Sequence, residues 1–349
     1  MVKVAVFGDH FVRASILERC LDKHLSPLLG KLEFVSCEFD YPFAASSSDS
    51  EIREYHGTPA KVVELASDAQ VIICHMPPLS KNVLRQLTKL RAIGCTRTEP
   101  ININVRAATE AGIPVFYAPG RNARTVAEFT VGLIISECRN IARGHQSLAS
   151  GVWRGDLYLY DRAPRELNGQ TIGLIGFGNI GSMMPNLLKP FGMRVLAYDP
   201  YVDDTVFEQR GAERVNDLNT LLSESDIVSL HARVTPETTG FIGEPQFKRM
   251  KAGAYFINTA RGPMVDYEAL YRALTNGHLG GAGLETFAVE PTPPGLPLLK
   301  LSNVTLTPHI AGCSRESVDR AAEMVSRDIT LWYAEKTPLN CCNPTVLKV

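Results

Sequence analysis

Apolar positions along this chain come in short continuous runs, and stretches with apolar residues at helical spacing lie between them. Runs at 2–7, 31–37, 71–74, 90–93 and 113–117 predict strands, and the stretches 14–28, 58–66 and 81–89 predict helices. Continuous rather than alternating apolarity suits strands buried on both faces. Repeated strand and helix alternation predicts a parallel sheet with helices on both sides. The serine-rich stretch 41–50 predicts a polar surface loop. The breaker cluster Ala118-Pro119-Gly120-Arg121-Asn122-Ala123 precedes a long helical pattern over 125–148, with Val126, Phe129, Val131, Leu133, Ile134 and Ile141 as its apolar positions. An irregular connection over 151–169 leads to a second alternating series, with strands predicted at 171–175, 193–198, 227–231, 254–258, 281–286 and 304–307. A final helix over 317–332 has no strand after it, so its natural use is to pack back on the first domain. Residues 340–349 read as a tail. The expectation is an α/β protein of two doubly wound parallel-sheet domains: 1–121 with 312–349, and 122–311 inserted between them.

The first strand of the second series runs into Gly176-Phe177-Gly178-Asn179-Ile180-Gly181. Glycines in this G-x-G-x-x-G spacing make a tight turn, let a pyrophosphate approach the backbone and let the next helix pack closely. The amides around Asn179 and Ile180 would open that helix and point at the phosphates. A second strand ends in Asp199, about 20 residues after the glycines, where a ribose-binding acid belongs. An acid there disfavours a 2′-phosphate, hence NAD rather than NADP. The first domain has no such turn, since Phe7-Gly8-Asp9-His10-Phe11 does not fit it. The dinucleotide therefore belongs to the second sheet. Pro185 falls in the first turns of the following helix, where proline is tolerated best.

Composition narrows this picture. With 349 residues, 45% apolar and 21% charged, the chain is long enough for two substantial cores. A net charge of −1 argues against nucleic acid or an anionic membrane as a partner. The N-terminus enters a strand directly, so no signal peptide is expected, and no run approaches a membrane span. Eight scattered cysteines without a C-x-x-C predict reduced thiols, a cytoplasmic enzyme and no metal site.

Three later strand ends carry reactive groups: Asn258-Thr259-Ala260-Arg261-Gly262, Phe287-Ala288-Val289-Glu290-Pro291 and Thr307-Pro308-His309-Ile310-Ala311-Gly312. One Arg, one Glu and one His thus converge on the sheet edge where a dinucleotide binds. A histidine can exchange the proton of a hydroxyl oxidised to a carbonyl. A neighbouring carboxylate orients its ring. An arginine can fork onto a carboxylate. Read singly, His309 could be a satisfied core histidine, Arg261 a surface charge, and Glu290 or Asp199 plain turn chemistry. Trp153, Tyr158 and Tyr160 read as packing residues.

With these motifs, and with Tyr198-Asp199-Pro200, the chain resembles the D-isomer-specific 2-hydroxyacid dehydrogenases nearly end to end. The resemblance implies a Rossmann domain that binds NAD, inserted into a flavodoxin-like substrate domain, and a homodimer. It implies that Arg261 binds the 2-oxo acid, that His309 is the acid/base and that Glu290 pairs with it. Cofactor contacts are implied at Gly176, Gly178, Asn179, Ile180, Gly181, Asp199, Thr259, Ala260, Glu285, His309 and Gly312, with His231 near the adenosine half. Glu285 stands where the family usually has an Asp against the nicotinamide carboxamide. Arg233 stands where a Pro is usual. The first-domain loop, from Gly94-Cys95-Thr96-Arg97 to Asn102, resembles a branch with a Cys-Arg-Gly-Gly-Pro-like turn. Arg97, His75 and Arg121 are the first domain's candidate substrate contacts, each balanced against a plain loop or capping role. The expected activity is NAD-dependent interconversion of a D-2-hydroxy acid and its 2-oxo acid. The alternatives are D-3-phosphoglycerate dehydrogenase, here without an added regulatory domain, and a non-catalytic NAD(H)-sensing binding protein.

Overall fold

The structure is a computed structural model, and it describes residues 1–44 and 46–347. Ala45, in the expected loop, and Lys348 and Val349, in the expected tail, lie outside the described residues. The chain divides into two compact units, Met1–Arg121 with Ser314–Val349, and Asn122–Cys313.

The first unit opens with β1 (Val2–Asp9), α1 (Ala14–Leu29), β2 (Leu32–Phe39), α2 (Pro59–Ala66), β3 (Val71–Cys74), α3 (Lys81–Gln86), β4 (Ala92–Cys95), α4 (Val105–Glu110) and β5 (Val115–Phe116). Its sheet is parallel, in the order β2-β1-β3-β4-β5. The order reverses between β1 and β3. Thr58, Ser80 and Asn104 cap α2, α3 and α4 through side-chain oxygens that accept from the first-turn amides. α4 is an addition to the sequence reading. Its pattern is only six residues long and too short to show a period.

The second unit holds α5 (Ala123–Cys138), α6 (Ile141–Ala149), β6 (Thr171–Ile175), α7 (Met184–Leu188), β7 (Arg194–Tyr198), α8 (Asp204–Arg210), β8 (Glu213–Arg214), α9 (Leu218–Glu224), β9 (Ile227–Leu230), α10 (Glu244–Arg249), β10 (Tyr255–Asn258), α11 (Tyr267–Thr275), β11 (Gly281–Leu284) and β12 (Val304–Leu306). The sheet order is β12-β11-β10-β9-β6-β7-β8, parallel throughout, and it reverses between β6 and β9. Every residue of β6, β9 and β11 is buried, which is why these strands read as unbroken apolar runs.

The chain then returns to the first unit as α12 (Arg315–Tyr333). Val318, Ala321, Val325 and Ile329 of α12 share a core with Val4 and Val6 of β1 and Leu17 and Leu21 of α1.

Four expectations need correction. The long helix over 125–148 is two helices. Asn140 adopts φ 58° between them, a left-handed conformation that asparagine tolerates better than most residues. After the glycines the chain makes a 3-10 turn at Gly181–Met183 and only then the five-residue α7, with Pro185 in its first turn. Asn179 and Ile180 therefore lie in the turn ahead of the helix. The described part of 340–349 is pinned rather than loose. Asn343 reaches Val115 N (2.8 Å), Ile113 O (2.9 Å) and Thr109 Oγ1 (3.1 Å), supplying polar partners at the edge of β5. Finally, Trp153, Tyr158 and Tyr160 do not pack within the chain; they are 83%, 94% and 95% exposed.

Candidate active site

In the second unit, β6 and β9 part where the sheet order reverses, and the glycine loop lies at that point. Gly176 takes φ 97°, and a Cβ there would stand 2.7 Å from Ala232 N. A Cβ on Gly181 would stand 2.2 Å from Gly176 O, while one on Gly178 would meet nothing within 4 Å. The first and third glycines thus close the turn on itself, and the second faces open space. Asp199, at the end of β7, accepts from Phe177 N (2.8 Å) and Tyr201 N (3.0 Å), so the acid also shapes the loop. A carboxylate has about four lone-pair sites and keeps acceptor capacity beyond these two bonds.

His231 follows β9 beside the same loop. Its Nε2 lies 3.0 Å from Ser229 Oγ, and its enclosed Nδ1 has no partner among the described residues. Burial pushes its pKa down to about 4, so the ring is neutral. An enclosed polar atom without a partner costs roughly 1–3 kcal/mol. Beside an open glycine cradle, it fits a site that takes a polar ligand such as a dinucleotide.

β10, β11 and β12 are neighbours, and their carboxyl ends bring Arg261, Glu290 and His309 to one edge. The loops are joined by backbone bonds: Glu285 N donates to Asn258 O (3.0 Å), Thr307 N to Leu284 O (3.0 Å) and His309 N to Glu285 O (3.0 Å). The buried Asn258 builds the Arg261 turn, accepting from Ala260 N (3.0 Å) and donating to Arg261 O (3.1 Å). Thr259 Oγ1 lies 2.9 Å from Thr130 Oγ1 and ties this strand end to α5. A Cβ on Gly262 would stand 2.0 Å from the Phe287 carbonyl carbon, so only glycine lets the Arg261 turn lie against the Glu290 loop.

Glu290 Oε2 lies 2.6 Å from His309 Nδ1, and Glu290 Oε1 accepts from Phe287 N (2.7 Å). Burial works to raise the Glu290 pKa. The bonds to His309 and Phe287, helped by the Arg261 charge, outweigh burial and hold it below its usual range. An ionised carboxylate only accepts, so Nδ1 carries the proton and Nε2 points its free valence elsewhere. His309 has φ 54°, a strained conformation for a non-glycine residue. Glu285 holds the turn: its buried carboxylate accepts from Thr307 Oγ1 and from Ala311 N. Glu285, a candidate cofactor contact, is fully buried here, with one bond on each carboxylate oxygen. Arg261 Nη1 folds onto Ala260 O (2.7 Å), and its other nitrogens bond nothing among the described residues. Gly312 closes the same segment, where a Cβ would press on Asn122 Nδ2 at 2.6 Å.

The first-domain candidates lie in the first unit. His75 is buried against Asp9, with Nδ1 to Oδ2 at 2.5 Å. Arg97 pairs with Glu54 at 2.5 Å. Arg121 is buried, with Nη1 3.4 Å from Ser317 Oγ and its guanidinium over the Phe11 ring. Sequence reasoning passed over Asn258 as a site residue, although a polar residue at the end of an apolar strand was a usable signal. It also passed over Asp9, which the chain separates from His75 by 66 positions. Among the described residues no group of His, Cys, Asp and Glu could hold a metal, and no helix is long and apolar enough to cross a membrane.

A sequence model described as D-isomer specific 2-hydroxyacid dehydrogenase, NAD binding domain, matches residues 131–311. A glyoxylate reductase of Korarchaeum cryptofilum is 37% identical over 289 residues, covering 82% of this chain and 87% of that protein. A glycerate dehydrogenase of Methylorubrum extorquens is 34% identical over 305 residues, covering 86% and 92%. The NAD-complexed D-isomer specific 2-hydroxyacid dehydrogenase of Lactobacillus delbrueckii ssp. bulgaricus superposes with a TM-score of 0.79 at 26% identity, covering 97% of this chain and all of that one. The glycine cradle and its neighbouring His231 fit the NAD that this fold carries. The chain belongs to the D-isomer-specific 2-hydroxyacid dehydrogenases and is an NAD-dependent oxidoreductase.

Proposed function

We propose that Arg261, Glu290 and His309 carry the interconversion of a D-2-hydroxy acid and its 2-oxo acid. The observation that supports this reading best is the 2.6 Å His309–Glu290 pair, with Arg261 on the adjoining strand end. Bound NAD supplies the hydride acceptor. His309 Nε2 takes the hydroxyl proton during oxidation and returns it during reduction. Glu290 keeps the proton on Nδ1 and faces the imidazolium as it forms. Arg261 binds the carboxylate and stabilises charge on the carbonyl oxygen. Gly176, Gly178, Asn179, Ile180, Gly181 and Asp199 hold the pyrophosphate and ribose. Thr259, Ala260 and Gly312 border the nicotinamide end, and His231 the adenosine half. Glu285 serves through the His309 turn.

The first unit is proposed as the substrate domain, and a homodimer as the working state. Ile141, Leu148, Val152, Trp153, Tyr158, Leu159 and Tyr160 are all exposed along one segment of the second unit, an apolar surface of the kind a second copy covers. Eight free thiols agree with a cytoplasmic, reducing location.

The test is NADH oxidation at 340 nm against glyoxylate, pyruvate, hydroxypyruvate, phosphohydroxypyruvate and longer sugar-derived 2-oxo acids, with His309→Ala in parallel. Turnover on one class, lost in the variant, is expected. NADH binding without turnover on any of them would favour a sensor and refute the catalytic reading.

A further inference from the structure

We propose that Arg233 is the cation that neutralises the cofactor's pyrophosphate at the glycine loop, a task the helix after that loop is too broken to perform alone. This rests on the reading above that the loop holds the pyrophosphate.

A pyrophosphate bears negative charge on each phosphate. In a dinucleotide-binding sheet the compensation comes from the helix after the glycine turn, through free first-turn amides and aligned peptide dipoles. Both are reduced here. The helical run is divided into the 3-10 turn Gly181–Met183, the five-residue α7 and a second 3-10 turn, Lys189–Phe191. Pro185 and Pro190 within it carry no N–H. Ser182 N already donates to Gly178 O (3.0 Å) and Met183 N to Ile180 O (2.9 Å). Asp199, at the end of the neighbouring strand β7, adds a further negative charge to the same edge.

Arg233 stands where the missing charge is needed. Ile175 and Leu230 are register partners at the ends of β6 and β9, and His231 N donates to Ile175 O (2.7 Å). The chain leaving β9 therefore runs along the glycine loop, so closely that a Cβ on Gly176 would stand 2.7 Å from Ala232 N. Arg233 is the next residue. Its backbone is fixed: Arg233 O accepts from Thr238 Oγ1 (2.6 Å), an oxygen that in turn accepts from Thr235 N (2.7 Å). Its side chain is exposed and has no hydrogen bond or ion pair among the described residues. Glu237, an acid four positions on, meets Thr235 Oγ1 (2.8 Å) instead. Arg214, at the end of β8, is already paired with Asp204. An exposed arginine is most often a solvated surface charge. This one differs in having a fixed backbone on the wall of an anion cradle that is short of positive charge. Its planar fork of donors suits phosphate oxygens.

The experiment measures the Kd of NADH by fluorescence titration at low and high KCl, and the displacement of NADH by ADP and by adenosine, in wild type, Arg233→Gln and Arg233→Lys. Arg233→Gln is expected to weaken NADH and ADP by at least about tenfold at low salt, the loss of one charge-assisted bond, and to leave adenosine, which has no phosphate, within about twofold. Arg233→Lys should retain most of the affinity, because a point charge still serves a phosphate. The wild-type Kd should rise with KCl, and that of Arg233→Gln should rise less. Melting temperatures should match wild type, since the side chain holds nothing in place. Where adenosine binds too weakly to displace NADH, the salt dependence decides. A loss below about threefold, with an unaltered salt dependence, would make Arg233 a surface charge and overturn the proposal. An equal loss for adenosine and ADP would place the side chain on the base and overturn it as well. So would a loss confined to NADPH in a parallel titration, which would place the cation at a 2′-phosphate. Wild type that binds neither NADH nor ADP would refute the loop reading itself, whereas tight wild-type binding untouched by Arg233→Gln would refute this inference alone.

Discussion

Gly262→Ala isolates the geometry that joins the arginine turn to the acid/base loop. The added Cβ would lie 2.0 Å from the Phe287 carbonyl carbon, 2.2 Å from Ala288 N and 2.3 Å from Phe287 O, all backbone atoms that no rotamer change can remove. Ordinary contact begins at 3.4 Å, so the two loops must part by about 1.4 Å. On one side of that gap are Arg261 and the Asn258 bonds that shape its turn. On the other are the Phe287–Glu290 bond at 2.7 Å and the Glu290–His309 pair at 2.6 Å. A misplacement of about 1 Å costs roughly 100-fold in rate, and overpacking costs about 1–3 kcal/mol of stability. The expected result is kcat/KM for the best 2-oxo acid reduced about 100-fold, with a lower melting temperature and NADH affinity within a few-fold of wild type. Most of the affinity is spared because the glycine loop that holds the pyrophosphate and ribose follows β6, while Gly262, after β10, bears only on the nicotinamide end. Steady-state rates at saturating NADH, fluorescence titration of NADH and a thermal melt measure these three quantities. A folded variant within threefold of wild-type kcat/KM would refute the claim that this close approach sets the site.

Glu290→Gln keeps an acceptor for His309 Nδ1 but removes its charge. A bond to a charged partner is worth about 1.5–3 kcal/mol, so kcat for oxidation should fall roughly 10- to 100-fold, read from initial rates of NADH formation. Burial holds the folded His231 pKa at about 4, below the ordinary 6.5. The unfolded chain thus takes up a proton first as pH falls, and stability declines between pH 6.5 and 4 by about 3 kcal/mol. His231→Asn should flatten that part of the acid limb in denaturant melts, and an unchanged limb would contradict the buried neutral ring. Trp153→Ser with Tyr160→Ser removes two of the three exposed aromatics in the apolar segment. Light scattering after size exclusion should show a dimer become a monomer, and an unaltered dimer would place the interface elsewhere.

What could be read from the chain was local. The glycine loop, Asp199, Arg261, Glu290 and His309 each follow a short apolar strand, and strand ends in a parallel sheet share one edge whatever the loops do. The break at Asn140 was hidden because apolar spacing continues across it to Ile141, and a single left-handed residue leaves no periodic trace. The 3-10 turn before α7 was hidden because glycine spacing marks a turn without setting the helix's first residue. Asn343 reads as tail because only the edge of β5, more than 200 positions earlier, gives it partners. The Asp9–His75 pair and the inward Glu285 depend likewise on contacts between distant segments, which no local pattern encodes.

The exposure of the site follows a gradient with a consequence for substitution. Side chains of His309 and Glu290 are 44% and 34% exposed, open to a substrate. Directly behind them Glu285, Asn258 and Thr259 are buried and spend their polar atoms on the turns that carry Arg261 and His309. Reacting groups held by rigid buried supports need little reorganisation during the reaction. Changes at the exposed pair should therefore cost rate with little stability, whereas changes at Asn258 or Glu285 leave buried partners unpaired and should cost both. Because Glu285 holds a histidine at φ 54°, shortening it to Asp withdraws the carboxylate from Thr307 and Ala311 together. The turn would then relax away from that conformation, taking His309 out of register with Glu290.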